Sequence, residues 1–281
     1  MINTNLQVRH AVMEDYQQIA NLMFYEANVH RHLDWRTPLD WLGAPNYWVL
    51  EDGAQITAAL ACPEDPPQVG WIRLFGHLSN LSLMDAWHPL WDVARHQNIP
   101  MAAIVVKRWF QNLLLSSGFE FKQNIVLLEL KKENYRFFPI PKDIYIRMMT
   151  VDDLQAVAQL DIDSFGPFWH NSLDALKRAH SQAIHATVAE DALGIVGYQL
   201  STGNLFGSHL ARLGVRNEAQ GQGVGSALVS NLIQRLDATT ARLSVNTQAD
   251  NVASLALYKK IGFTHTGENY PVLVYSKGDE E

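Results

Sequence analysis

The stretch Leu213-Gly-Val-Arg-Asn-Glu-Ala-Gln-Gly-Gln-Gly-Val-Gly-Ser-Ala-Leu228 carries an apolar strand end into three alternating glycines and then into an amphipathic helix. Gly221, Gly223 and Gly225 lack a Cβ atom, so the backbone can turn at positive φ and point successive N–H groups at one ligand. The following helix adds its unpaired first-turn N–H groups and the positive end of its dipole. The run Gln220, Gly221, Gln222, Gly223, Val224, Gly225, Ser226 therefore reads as an anion cradle.

Spacing separates this cradle from its relatives. A Walker loop needs Gly-Lys followed by Ser or Thr, and this loop holds no lysine. A dinucleotide fingerprint needs Gly-x-Gly-x-x-Gly; here Ser226 stands where its last glycine would be, and Asp237 is poorly placed as a ribose ligand. A ligand-free glycine turn is the bland alternative, and a second motif weighs against it. Asn251-Val-Ala-Ser-Leu-Ala-Leu-Tyr-Lys-Lys-Ile-Gly-Phe263 reads as a short helix with Asp250 or Asn251 as N-cap and Gly262 as left-handed stop. Helical spacing puts Asn251, Ser254 and Tyr258 on one face.

Taken in order, Gln220-x-x-Gly223-x-Gly225, the strand Leu243-Ser-Val-Asn-Thr247, and Asn251 with Tyr258 before Gly262-Phe263 resemble the GNAT superfamily of acyl-CoA-dependent N-acetyltransferases. The resemblance implies acetyl-CoA as co-substrate, no metal, and direct transfer of the acetyl group to a primary amine on a small molecule or a peptide N-terminus. It implies a pyrophosphate held by the N–H groups from Gln220 to Ser226. Leu213, Gly214 and Val215 would be the family's splayed strand, pairing with the pantetheine arm and donating to the thioester carbonyl. Tyr258 would protonate the departing thiolate, and Asn251, with Ser254 on its face, would fix the coenzyme arm or merely cap the helix. Tyr258 also fits a core position, and Leu213 and Val215 are apolar strand residues on any reading. A non-catalytic acyl-CoA-binding or regulatory module stays open as the alternative: Tyr258 argues against it, the want of an obvious general base argues for it. Asp163, Glu190 and His209 are the base candidates. The stretch Asp163 to His170 falls where the family's acceptor loop lies, and Phe165, Phe168 and Trp169 either line an acceptor pocket or simply pack.

The 281 residues carry a net charge of −7 with Lys/Arg in pairs at most, which disfavours nucleic acid as a partner. No apolar run is long enough to span a membrane, and residues 1–5 do not read as a secretory leader, so the expected location is the cytoplasm. One cysteine, Cys62, rules out an internal disulfide and reads as a small apolar residue. His30-Arg-His32 lacks ligand partners at metal spacing and reads as a solvated loop.

Arg9 to Leu22 aligns without a gap on Arg147 to Leu160, and Leu113 to Phe119 parallels Leu257 to Phe263. A period of about 140 residues marks a duplicated domain rather than a solenoid. Pro139 and Pro141 force an extended path, which places the boundary there: residues 1–141 and 142–281 are expected to be two tandem GNAT-like α/β (α+β) domains, each a mixed, mostly antiparallel sheet with flanking helices. The first lacks paired glycines after its fourth strand, and Lys107 and Leu114 stand where Asn251 and Tyr258 stand in the second. It is read as degenerate, its tryptophans as core, and the chain as a monomer or homodimer.

Overall fold

The computed structural model describes residues 6–32, 34–97, 99–204, 207–236 and 242–276; Asp237 and residues 1–5 lie outside them. The chain forms two compact units, one from the N-terminus to Lys122 together with the segment from Pro271, the other Gln123 to Tyr270.

The first unit runs β1 (Leu6–His10), α1 (Tyr16–Tyr25), β2 (Val29–Arg31), β3 (Tyr47–Asp52), β4 (Gln55–Ala61), β5 (Gly70–Trp71), β6 (Leu74–His77), α2 (Leu83–Ala94), β7 (Met101–Ile104) and α3 (Arg108–Ser116), and then enters β8 (Glu120–Lys131). Its antiparallel sheet has the order β1-β3-β4-β6-β2. Trp48, Phe75, Trp87, Trp91 and Phe110 fill the core, so the tryptophans do serve packing. The expectation for His30 is corrected. It is buried on β2, stacks on Phe110 at 4.1 Å, and has Nε2 3.1 Å from the Ile72 carbonyl oxygen; burial lowers its pKa to about 4.

The second unit continues with β9 (Tyr145–Met148), α4 (Leu154–Trp169), α5 (Leu173–Gln182), β10 (His185–Asp191), β11 (Gly194–Asn204), β12 (Gly207–Val215), α6 (Val224–Arg235), β13 (Arg242–Gln248), α7 (Val252–Ile261) and β14 (Thr264–Tyr275). Its strands lie in the order β14-β8-β13-β12-β11-β10-β9. Val224, Leu228 and Leu232 are buried, as the four-residue spacing of α6 requires. The prolines at 139 and 141 lie in an extended segment inside this unit, so the units do not divide there. The cause is strand placement. Ile125–Lys131 of β8 pair with β13, whereas Val272–Tyr275 of β14 pair with β7. Which strand each pairs with is set by partners distant in sequence, and composition cannot assign them.

The repeat reaches individual atoms. Arg9 donates from Nε to Glu51 and forks onto both oxygens of Asp15, which also accepts the Val12 N–H. Arg147 likewise binds Glu190 and both oxygens of Asp153, which accepts the Thr150 N–H. Each glutamate follows a β-bulge at the same place, between Leu50 and Glu51 in one unit and between Ala189 and Glu190 in the other.

Candidate active site

The glycines of the cradle divide the work. Gly221 and Gly223 adopt φ of 76° and 89°, the left-handed region in which a Cβ is strained. Gly223 is also the N-cap of α6, and no side chain caps that end. The first bond of the helix runs from the Ala227 N–H to the Gly223 carbonyl, leaving the N–H groups of Val224, Gly225 and Ser226 as the unpaired first turn. In the first unit α2 is the counterpart, and there Ser82 accepts the Asp85 N–H at 3.2 Å and satisfies the turn internally. Gly225 serves close approach: a Cβ there would lie 3.2 Å from Leu257 on α7.

The strand that leads into the cradle is bent out of its sheet. β12 pairs in parallel with β13 only from Ser208 to Leu210, while its antiparallel pairing with β11 continues to Val215. Between those limits Ala211 is an extra residue, because Leu200 pairs with Arg212 and Ser201 with Leu210. A bulge of this kind re-aims the strand. The edge of Leu213, Gly214 and Val215 facing β13 is therefore outside the ladder.

These parts surround one cleft of about 620 Å³. Of the expected residues, Leu213, Gly214, Val215, Gln220, Gly221, Gly223, Val224, Gly225, Ser226, Asn251 and Ser254 line it. Two do not. The Gln222 amide turns back to the Glu218 carbonyl at 2.7 Å, and Tyr258 is buried in the apolar cluster of Leu128, Leu243, Ile261 and Phe263. On α7 the cleft-facing positions are Ala253, Ser254, Ala256, Leu257 and Lys260, so Tyr258 shares the core-facing stripe with Ile261. Burial raises the Tyr258 pKa, which keeps the phenol neutral. Asn251 is a cap, its Oδ1 accepting the Ser254 N–H at 3.0 Å.

Residues 154–272 match the family model described as the acetyltransferase (GNAT) domain. The chain carries a GNAT domain. No curated protein matches the sequence. Among solved structures the chain is similar to a tandem GNAT protein from the clavulanic acid biosynthesis pathway, with a TM-score of 0.66 and 14% identity over 99% of this chain and 100% of that one. It is similar to a GCN5-related N-acetyltransferase from Sphaerobacter thermophilus (TM-score 0.60, 13% identity, 96% and 95% covered). A further GCN5-related N-acetyltransferase, from Anabaena variabilis, gives a TM-score of 0.69 at 12% identity, with 96% and 72% covered. The tandem α/β architecture expected from the repeat is thus the fold of this chain.

At the other end of the GNAT domain's cleft, Ser164 and Phe165 of α4 join the lining, and the Ser164 hydroxyl donates to the Val215 carbonyl at 3.4 Å. The expected acceptor loop is mostly helix. α4 continues through Phe165, breaks where Gly166 takes φ 69° ahead of Pro167, and ends at Trp169. An unforeseen ion pair holds that break. Asp161, with no exposure, accepts from Nε and an outer nitrogen of Arg212 at 2.7 Å each, from the Tyr198 hydroxyl, and from the Asn171 N–H at 2.6 Å. Arg212 also donates to the Trp169 carbonyl at 2.8 Å and lies 3.4 Å from the Phe165 ring centroid. Burial, then the Asp161 charge, push the Tyr198 pKa well up. The one sequence signal was a charged residue, Asp161, at a core position of an apolar helix.

The base candidates are placed elsewhere. Glu190 is taken up by Arg147, Asp163 is exposed and holds the Gln159 amide at 2.9 Å, and His209 sits in the paired part of β12 with Nδ1 2.9 Å from the Ser244 hydroxyl. Burial lowers the His209 pKa. Among the described residues no cluster of His, Cys, Asp and Glu could hold a metal, and no helix is long and apolar enough to cross a membrane.

Proposed function

We propose that the chain is an N-acetyltransferase that moves an acetyl group from acetyl-CoA to a primary amine of a small molecule or a peptide N-terminus. The observation that carries this reading is the pairing, in one cleft, of an uncapped helix N-terminus on left-handed glycines with a strand edge freed by a bulge. The residues fit the coenzyme, because a Cβ on Gly221 would meet none of the described residues within 4 Å.

Bound acetyl-CoA would supply an activated acyl thioester. The N–H groups from Gly221 to Ser226 would hold its pyrophosphate. The free edge of Leu213 to Val215 would pair with the pantetheine arm and donate to the thioester carbonyl oxygen, stabilising the charge that develops there. Phe165 and Ser164 bound the end where an amine would enter. Tyr258 is proposed as proton donor to the leaving thiolate: it directly follows the lining residue Leu257, and its phenol carries a proton to give. The nucleophile must arrive as the neutral amine. We further propose a cytoplasmic monomer or homodimer.

A second reading, an acyl-CoA-binding or regulatory module without turnover, is favoured by the burial of Tyr258 and by a cleft lining that includes none of Asp163, Glu190 and His209. One experiment separates the two: incubation with acetyl-CoA and a panel of amines and peptides, following CoA release and product mass. Acetyl-CoA-dependent addition of an acetyl group to one amine class is expected. Tight coenzyme binding without turnover on any acceptor would favour the module.

A further inference from the structure

The cleft opens at Ala256 and Lys260 into a second groove of about 840 Å³, walled by Glu133 to Arg136 of the segment between the repeats and by Lys259, Gly262 and Phe263. The inter-repeat segment is fixed against the cradle helices. The Arg136 N–H donates to the Ile261 carbonyl at 2.9 Å, and the Phe138 N–H to the Ser230 hydroxyl of α6 at 3.0 Å. A Cβ on Gly262 would lie 2.0 Å from the Asn134 carbonyl oxygen, and one on Gly223 would meet Pro141 at 3.5 Å. Lys260 spreads over the Phe138 ring, with Nζ 4.7 Å from its centroid.

The charges in this groove are unbalanced. Arg136, Lys259 and Lys260 face a single carboxylate, Glu133, and among the described residues none of the three cations is in an ion pair. The Tyr135 hydroxyl in the same wall is buried and has no hydrogen-bond partner among the described residues. Solvated lysines at a helix C-terminus explain Lys259 and Lys260 alone. They do not explain an arginine brought from another segment or an unpartnered hydroxyl beside it.

Resting on the coenzyme reading above, we propose that the inter-repeat segment is part of the coenzyme site, with Arg136 and Lys260 taking the phosphate on the ribose 3′ position. The direction follows from the cleft. The thioester end must reach the freed edge of β12 and the amine entrance at Phe165, so the nucleotide end leaves the cradle by the opposite mouth, where Lys260 lines both spaces. A dianionic phosphate meeting an arginine fork and a lysine forms charge-assisted bonds that a bare ribose hydroxyl does not.

The test is calorimetric titration of the wild-type chain and of the Arg136→Ala/Lys260→Ala variant with CoA and with 3′-dephospho-CoA. Both side chains are exposed, so the variant should melt as wild type does. Wild type is expected to bind CoA at least about tenfold more tightly than 3′-dephospho-CoA, and the variant to bind the two alike at the dephospho-CoA affinity. Equal wild-type affinities, or a variant that keeps the wild-type ratio, would overturn the assignment of the groove while leaving the cradle intact. Failure of wild type to bind either compound would remove the coenzyme reading and this inference with it.

Discussion

Gly223 combines a φ of 89° with a place at the open end of α6, so its replacement acts twice. In Gly223→Glu the new side chain strains a left-handed turn and sets a negative charge where the pyrophosphate would lie. Coenzyme binding should fall by at least about a hundredfold, read by calorimetry, and retention of wild-type affinity would remove the cradle. Tyr258→Phe separates acid from scaffold. The ring stays in its apolar cluster, so stability and coenzyme affinity should hold while turnover falls by about 10²-fold; unchanged turnover would show that Tyr258 is core alone. Gly262 was legible as a helix stop, and its φ of 116° agrees, but its second duty was not. Passage of the Asn134 carbonyl over its Cα depends on a segment more than a hundred residues upstream. Gly262→Ala should therefore lose more than the roughly 1–3 kcal/mol of backbone strain alone, measurable by urea unfolding.

The four-residue spacing of α6 made its buried stripe readable, and the glycine motifs located the cleft. The phase of α7 escaped, because Asn251, Ser254 and Tyr258 share a face only loosely and the buried stripe is set by Tyr258 with Ile261. The partners of charged side chains escaped as well. Glu190 at a strand end looks available until Arg147 is seen beside it, and Asp161 reveals itself only with Arg212 from β12. Asp161→Ala would strand a buried guanidinium and should cost about 3–5 kcal/mol, and Asp161→Ala/Arg212→Met should recover part of that loss in chemical unfolding. Additive losses in the double variant would deny that the two residues act as a pair. The Arg147 cluster sets a pH limit. Arg147 hydrogen bonding holds the Asp153 pKa at about 2, below its ordinary 3.8. A depressed carboxylate contributes stability that is complete above the ordinary value and is lost as pH falls through the folded one. Unfolding free energy should therefore decline between pH 4 and pH 2, and Asp153→Asn should flatten that decline.

Duplication with divergence accounts for the whole chain. Both units keep the arginine fork, the paired bulges and the helix that ends in Gly-Phe, because these fix backbone geometry. Only the second keeps an uncapped helix behind left-handed glycines; in the first, Ser82 closes the corresponding helix, and Lys107 and Leu114 replace the cap and the tyrosine of α7. Sequence comparison of the repeats showed this loss directly, since it consists of missing glycines. It did not show where β8 and β14 pair, which depends on register between strands of similar composition. One working cradle per chain is the central claim, and calorimetric titration of the intact protein with acetyl-CoA tests it most directly. A stoichiometry of one site per chain, abolished in Gly223→Glu, is the expected result; two sites, or none, would contradict it.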